Sequence, residues 1–122
     1  MTVIMQAARI EVRAWSNGRP LPTGAGYGVR LSDHDRDEHF DPQWREVLVD
    51  LGEGESVPVS LSEPFWRSCP ELRSAAIGRW LFRDGLAPWP RGKPSAALLI
   101  PAGSNRFSLR KLSQSRSGRE RK

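Results

Sequence analysis

Ser56-Val57-Pro58-Val59-Ser60-Leu61 alternates apolar and polar residues, whereas Ala76-Ile77-Gly78-Arg79-Trp80-Leu81-Phe82, a short way downstream, does not. In the first segment Val57, Val59 and Leu61 point to one side and Ser56, Pro58 and Ser60 to the other, the period of a half-buried strand. In the second, Ala76, Ile77, Trp80 and Leu81 fall within an arc of about 140° at 100° per residue, and Leu72, Ala75 and Phe82 widen it into a helix face. This change of period predicts strands followed by a helix. Ser62, Glu63 and Pro64 read as the cap and first turn of a short helical piece over 63–68. Pro70 disfavours helical geometry at Cys69, which predicts a separate main helix over 70–84, stopped by Gly85. Pro58 has no N–H for a ladder, so its strand is expected at a sheet edge or with a free N–H side there.

Working outward, Ala8 to Trp15 alternates cleanly, and Ser16-Asn17-Gly18 with Pro20 and Pro22 is turn chemistry. A second strand is expected over 24–31, an acidic loop over 33–41 and a third strand over 44–51. Gly52-Glu53-Gly54-Glu55 then closes a hairpin to the fourth. After the helix, Leu86 to Pro94 holds three prolines around Trp89 and reads as an extended loop. Ala96 to Ile100 is nearly all apolar, the pattern of a strand covered on both faces, and a last strand is expected over 106–112. The predicted fold is α+β: a mostly antiparallel sheet or partial barrel in the order ββββαββ, with one main helix packed on it. Residues 1–112 are expected to form one compact domain. Residues 113–122, without an apolar side chain, read as a disordered basic tail.

Composition narrows the function. The chain has 122 residues, 38% hydrophobic and 27% charged, with a net charge of +5. That charge is uneven: residues 1–105 carry 12 basic and 13 acidic side chains, while residues 106–122 carry seven basic residues and one acid. The basic character therefore belongs to the last strand and the tail, and predicts salt-sensitive contact with an anionic partner such as nucleic acid. Arg110, Lys111, Arg116, Arg119, Arg121 and Lys122 are the residues expected to make it. One cysteine excludes an internal disulfide framework and points to a reducing, cytoplasmic compartment. The longest uncharged run, Pro94 to Asn105, is too short to span a bilayer, so no membrane partner is expected.

Three local features invite chemistry. Gly24-Ala25-Gly26-Tyr27-Gly28 lacks the G-x-G-x-x-G spacing of a dinucleotide fingerprint, and its glycines are expected to leave a flat patch on a strand for a bulky neighbour such as Trp15 or a helix residue. Asp33 to Asp41 holds both histidines. Asp33, Asp35 and Asp37 match the start of a calcium loop, but Glu38 and Trp44 stand where glycine and glutamate are required. A looser metal site would use Asp33, His34, Asp35 and His39, since imidazole and carboxylate suit zinc or manganese. Cys69, expected at the N-terminus of the main helix, would gain thiolate character there, and with His34 or His39 would form a nucleophile pair, Asp37 supplying a carboxylate. No G-x-S-x-G elbow, H-E-x-x-H motif or P-loop is present.

The chain has five tryptophans. Trp66 and Trp80 are expected in the core. Trp15 and Trp44 lie opposite the apolar stripes, where they would cover a second cluster or form a stacking platform. Trp89, held in extended geometry by prolines and followed by Arg91 and Lys93, is the best candidate for binding, a protein partner included. The leading expectation is a small binding module without a cofactor. The alternative is a small hydrolytic or metal-dependent enzyme built on residues 33–41 and Cys69.

Overall fold

The computed structural model describes residues 8–112; the expected tail, 113–122, lies outside them. Seven strands form one sheet: β1 (Ile10–Ser16), β2 (Tyr27–Arg30), β3 (Glu46–Gly52), β4 (Glu55–Ser60), β5 (Glu71–Arg73), β6 (Ala96–Pro101) and β7 (Arg106–Lys111). Their order across the sheet is β4-β3-β7-β6-β1-β2-β5, antiparallel throughout except for the parallel β3–β7 pair. The end strands β4 and β5 approach one another, so the sheet curls into a nearly closed barrel. Pro58 sits on the end strand β4, where its missing N–H disrupts no ladder. Leu98 and Leu99, adjacent on β6 and so on opposite faces, are both buried, as the apolar run predicts.

Three helices accompany the sheet: α1 (Asp33–His39), α2 (Glu63–Arg67) and α3 (Ala75–Arg83). Beyond α2, the short helical piece expected over 63–68, the element order departs from ββββαββ at two places. The acidic segment is a helix instead of a loop. Ser32 caps it, its hydroxyl accepting from the Asp35 N–H at 3.0 Å, and Asp33 and Asp35 favour the positive end of the first turn. The helix has no apolar stripe because its one buried residue is Arg36, whose guanidinium donates to the Phe65 carbonyl at 3.1 Å and pairs with Asp37 at 2.9 Å.

The second departure lies between Pro70 and Ser74. The helix expected over 70–84 begins only at Ala75, because Ser74 is its cap and accepts from the N–H groups of Ala76 and Ile77. Glu71 to Arg73 is drawn out as β5 by antiparallel pairing with β2. The buried side of α3 carries Ala76, Ile77, Gly78, Trp80 and Leu81. Phe40, which follows α1, stacks on Phe107 at 4.7 Å, and Trp44 packs edge-on to both rings. Trp44 thus covers the core, and Trp66 lies half-buried against it, edge-on to Phe65.

The glycine-rich segment is a turn followed by a short strand. Gly24 and Gly26 have φ of +97° and +85°, so the three glycines do not share one face of an extended chain. What packs against Gly24 and Gly28 is backbone. A Cβ at Gly24 would strike the Ala75 carbonyl oxygen, and one at Gly78 would strike the Gly24 carbonyl oxygen. The β1–β2 loop and α3 thus meet main chain to main chain, and Arg79 secures the contact by donating to the Thr23 carbonyl at 3.1 Å. On the outer face, Trp15, Gly28 and Arg73 lie in register across β1, β2 and β5. The Arg73 guanidinium sits 4.7 Å from the Trp15 ring centre.

Candidate functional site

Apart from Cys69, the residues predicted to carry metal or catalytic chemistry lie on the short helix α1 and do not line the hollows described below. His34, Asp35 and Glu38 gather their ligand atoms within 4.8 Å of one another, with His34 and Glu38 a helical turn apart at 3.0 Å. Asp33 and Asp37 are instead turned to Arg36. The His39 imidazole, largely covered, is 4.0 Å from Glu38. These groups are spread around a short helix, not gathered at the bottom of a cleft.

Cys69 follows α2 and precedes β5, so the expectation that it opens the main helix is corrected. Its N–H donates to the Pro64 carbonyl at 2.7 Å, which places it at the C-terminal end of α2. The thiol therefore follows a helix and does not open one. Its side-chain neighbour is the Ser68 hydroxyl at 3.5 Å; neither histidine is hydrogen-bonded to it among the described residues.

Among the hollows lined by described residues, three are separated by their charges. One, about 360 Å³, is bounded by Glu63, Pro64, Arg67 and Ser68, and its arginine is bound to its own glutamate at 2.9 Å. A second, about 280 Å³, lies between the β3–β4 turn and α3 and includes Trp80, Arg83 and Arg110. Arg83 donates to the Leu51 carbonyl and faces Glu55 at 3.6 Å. Arg110 donates to the Asp50 carbonyl at 3.1 Å and pairs with its carboxylate at 3.2 Å. In both hollows the cations already have partners within the fold.

Asp50 is shaped by that arrangement. Its carboxyl is held below the ordinary value, chiefly by the Gly52 N–H donating to it at 2.8 Å and also by the hydrogen bond and charge of Arg110, against a smaller upward push from burial. A lowered carboxylate contributes stability that is present above its ordinary pKa and lost as pH falls through the lowered value. Asp50→Asn is therefore expected to be slightly less stable than the parent at neutral pH, by less than about 1 kcal/mol for so exposed a pair. Thermal midpoints of the two proteins should converge in acid. A gap that persists at low pH would show that the charge is not its source.

The third hollow, about 190 Å³, is lined by Ser16, Pro20, Tyr27, Pro88 and Trp89. Its two walls come from opposite ends of the chain. The β1–β2 loop brings Pro20, and β2 brings Tyr27. The segment after α3 brings Pro88 and Trp89 and is pinned at three points: the Leu86 and Ala87 N–H groups donate to the Leu81 carbonyl, Ser95 Oγ donates to the Leu86 carbonyl at 2.8 Å, and the Ala14 N–H donates to the Ser95 carbonyl at 2.7 Å. Trp89 is half-buried, edge-on to Tyr27 with ring centres 5.8 Å apart, and Tyr27 is edge-on to Phe82 at 5.2 Å.

The rim of this hollow differs from the other two. The Lys93 N–H donates to the Pro90 carbonyl at 2.9 Å, and Gly92 has φ +75°, the requirement of a type II turn at its third position. Arg91 is thereby set at the tip of an exposed turn beside Trp89, with Lys93 closing it; Arg19 is exposed next to Pro20 on the facing loop. Among the described residues none of these three cations makes an ion pair, in contrast to Arg83 and Arg110. Of the other expected binding residues, Lys111 is half-buried on β7, and Arg116, Arg119, Arg121 and Lys122 lie outside the described residues. Around this hollow, Trp89, Arg91 and Lys93 are residues the sequence singles out and Tyr27, Pro20 and Arg19 are not; no local signal joins segments so distant. No protein-family model, curated protein or solved structure matches the chain.

Proposed function

We propose that the protein is a small binding module whose partner is a nucleic acid, met at the Tyr27–Trp89 hollow and reinforced by the basic C-terminal segment. The observation that carries this reading is the aromatic and proline-lined hollow flanked by Arg19, Arg91 and Lys93, exposed cations left without acidic partners among the described residues. Unpaired cations break no internal ion pair when they turn toward phosphate, whereas Arg110 must first give up Asp50. Arg110 is thus a structural residue in this reading, and the phosphate contacts fall to Arg19, Arg91, Lys93 and the tail.

Affinity measured against salt for the full chain tests it. The logarithm of affinity is expected to fall linearly with the logarithm of salt concentration, because phosphate contacts release counterions. Reversing Arg91 and Lys93 to glutamate should weaken binding and flatten the slope by roughly 0.7–0.9 for each phosphate no longer neutralised. Deleting residues 113–122 removes four basic residues and Glu120, taking the net charge from +5 to +2. That deletion should flatten the slope further while leaving the melting temperature almost unchanged, since the segment has no apolar side chain to bury. A full chain that binds neither DNA nor RNA at low salt would end the proposal.

A further inference from the structure

We infer that the Tyr27–Trp89 hollow takes one unpaired nucleobase, and hence that the strand bound is single-stranded; this rests on the nucleic-acid reading above. The observation behind it is a largely buried tyrosine on the lining of the hollow. Tyr27 is only 7% exposed, yet its phenolic O–H has no hydrogen-bond partner among the described residues. A buried tyrosine ordinarily finds a partner for its hydroxyl, and leaving one unmade is unfavourable. The Trp89 indole N–H, on the same hollow, has no partner among the described residues either. Ser16 Oγ, also on the lining, makes only a long 3.4 Å contact with the Gly18 N–H. The hollow therefore joins ring and proline walls to two N–H or O–H donors whose bonds the fold leaves unmade.

That combination matches a base more closely than any other part of a nucleic acid. A base offers a flat face for Trp89 and the prolines, and ring nitrogens or carbonyl oxygens that accept from the Tyr27 hydroxyl. A volume of about 190 Å³ suits one heterocycle and not a base pair. In a duplex the base faces are occupied by stacking, so only an unpaired strand can present one. The cations at Arg19, Arg91 and Lys93 lie outside the ring-lined part, where the phosphates on either side of a docked base would run. Stacking of this kind tolerates different bases, and any preference among them would come from acceptors near Tyr27.

Tyr27→Phe is the decisive variant, because it removes the hydroxyl and keeps the ring. Full-length parent and variant would be titrated with an oligothymidylate, with a duplex of mixed sequence and with an oligoproline peptide, and their melting temperatures measured. The expected result is tighter binding of the single strand than of the duplex, and a loss of about 3- to 10-fold on Tyr27→Phe, the worth of one hydrogen bond. The melting temperature should hold or rise, since no internal bond is removed. Trp89→Phe should weaken the single strand as well. Equal binding of single strand and duplex, with Tyr27→Phe like the parent, would overturn the inference and leave the nucleic-acid reading standing. A lower melting temperature for Tyr27→Phe would show the hydroxyl engaged within the fold and overturn it too. Oligoproline binding without single-strand binding would assign the hollow to a peptide, and no nucleic-acid binding at low salt would remove both proposals.

Discussion

Trp80→Ala is expected to destabilise the protein by about 3–5 kcal/mol, a large share of the stability a domain of this size has. Trp80 is 2% exposed and lies at the centre of the buried side of α3, among Ile77, Leu81 and the strand side chains of the one core cluster. Truncation removes the largest side chain of the helix and leaves a cavity that the surrounding strands cannot close, because they are fixed by ladders on either side. Urea unfolding of parent and variant measures the loss. Trp80→Phe, which retains much of the volume, should recover part of it. An unchanged midpoint for Trp80→Ala would mean that α3 is not seated as described.

Gly78→Ala tests the fold more sharply, because helix propensity and tertiary packing predict opposite signs. Within a helix, alanine is favoured over glycine by about 1 kcal/mol. Here the new Cβ would overlap the carbonyl oxygen and Cα of Gly24, both main-chain atoms that cannot swing aside as a side chain end would. The expected net effect is a loss of about 1–3 kcal/mol from forced separation of α3 and the β1–β2 loop. Because that loop also carries Pro20 and leads into Tyr27, the same substitution should weaken ligand binding at the hollow out of proportion to its distance from it. A gain in thermal midpoint would show that the helix and loop are not in backbone contact. Gly24→Ala should cost more than Gly78→Ala, since it adds a side chain at φ +97° to the same collision.

Several elements follow from local chemistry alone. Pro58 determines that its strand lies at an edge, the Gly52–Glu55 turn determines the β3–β4 hairpin, and the unbroken apolar run over Ala96 to Ile100 determines a strand covered on both faces. The apolar arc of residues 76–81 determines that Trp80 is buried. In each case the signal and the residue that obeys it are neighbours in the chain. Ser74 and the Ser32-x-x-Asp35 cap are local signals of the same kind, and they mark the true starts of α3 and α1.

Other features depend on what lies across the fold. Helix α1 has no apolar stripe to announce it, because its buried residue is an arginine whose place exists only once the Phe65 carbonyl is there to receive it. Glu71 to Arg73 is extended because β2 offers a ladder; in isolation the segment reads as the start of the helix behind it. The parallel β3–β7 pair joins segments separated by most of the second half of the chain, and no period in either encodes the other's direction. The hollow belongs to the same class. Trp89 with Arg91 and Lys93 is legible as a candidate, but Tyr27 reads from the sequence only as a strand residue among glycines. Its meeting with Trp89 comes into being when α3 and the loop after it fold back over the β1–β2 hairpin. Periodicity and capping act over a few residues, so the sequence by itself determined the elements that these local rules govern. Strand pairing, buried polar partners and the walls of the hollow act between distant segments, and only the tertiary structure decided them.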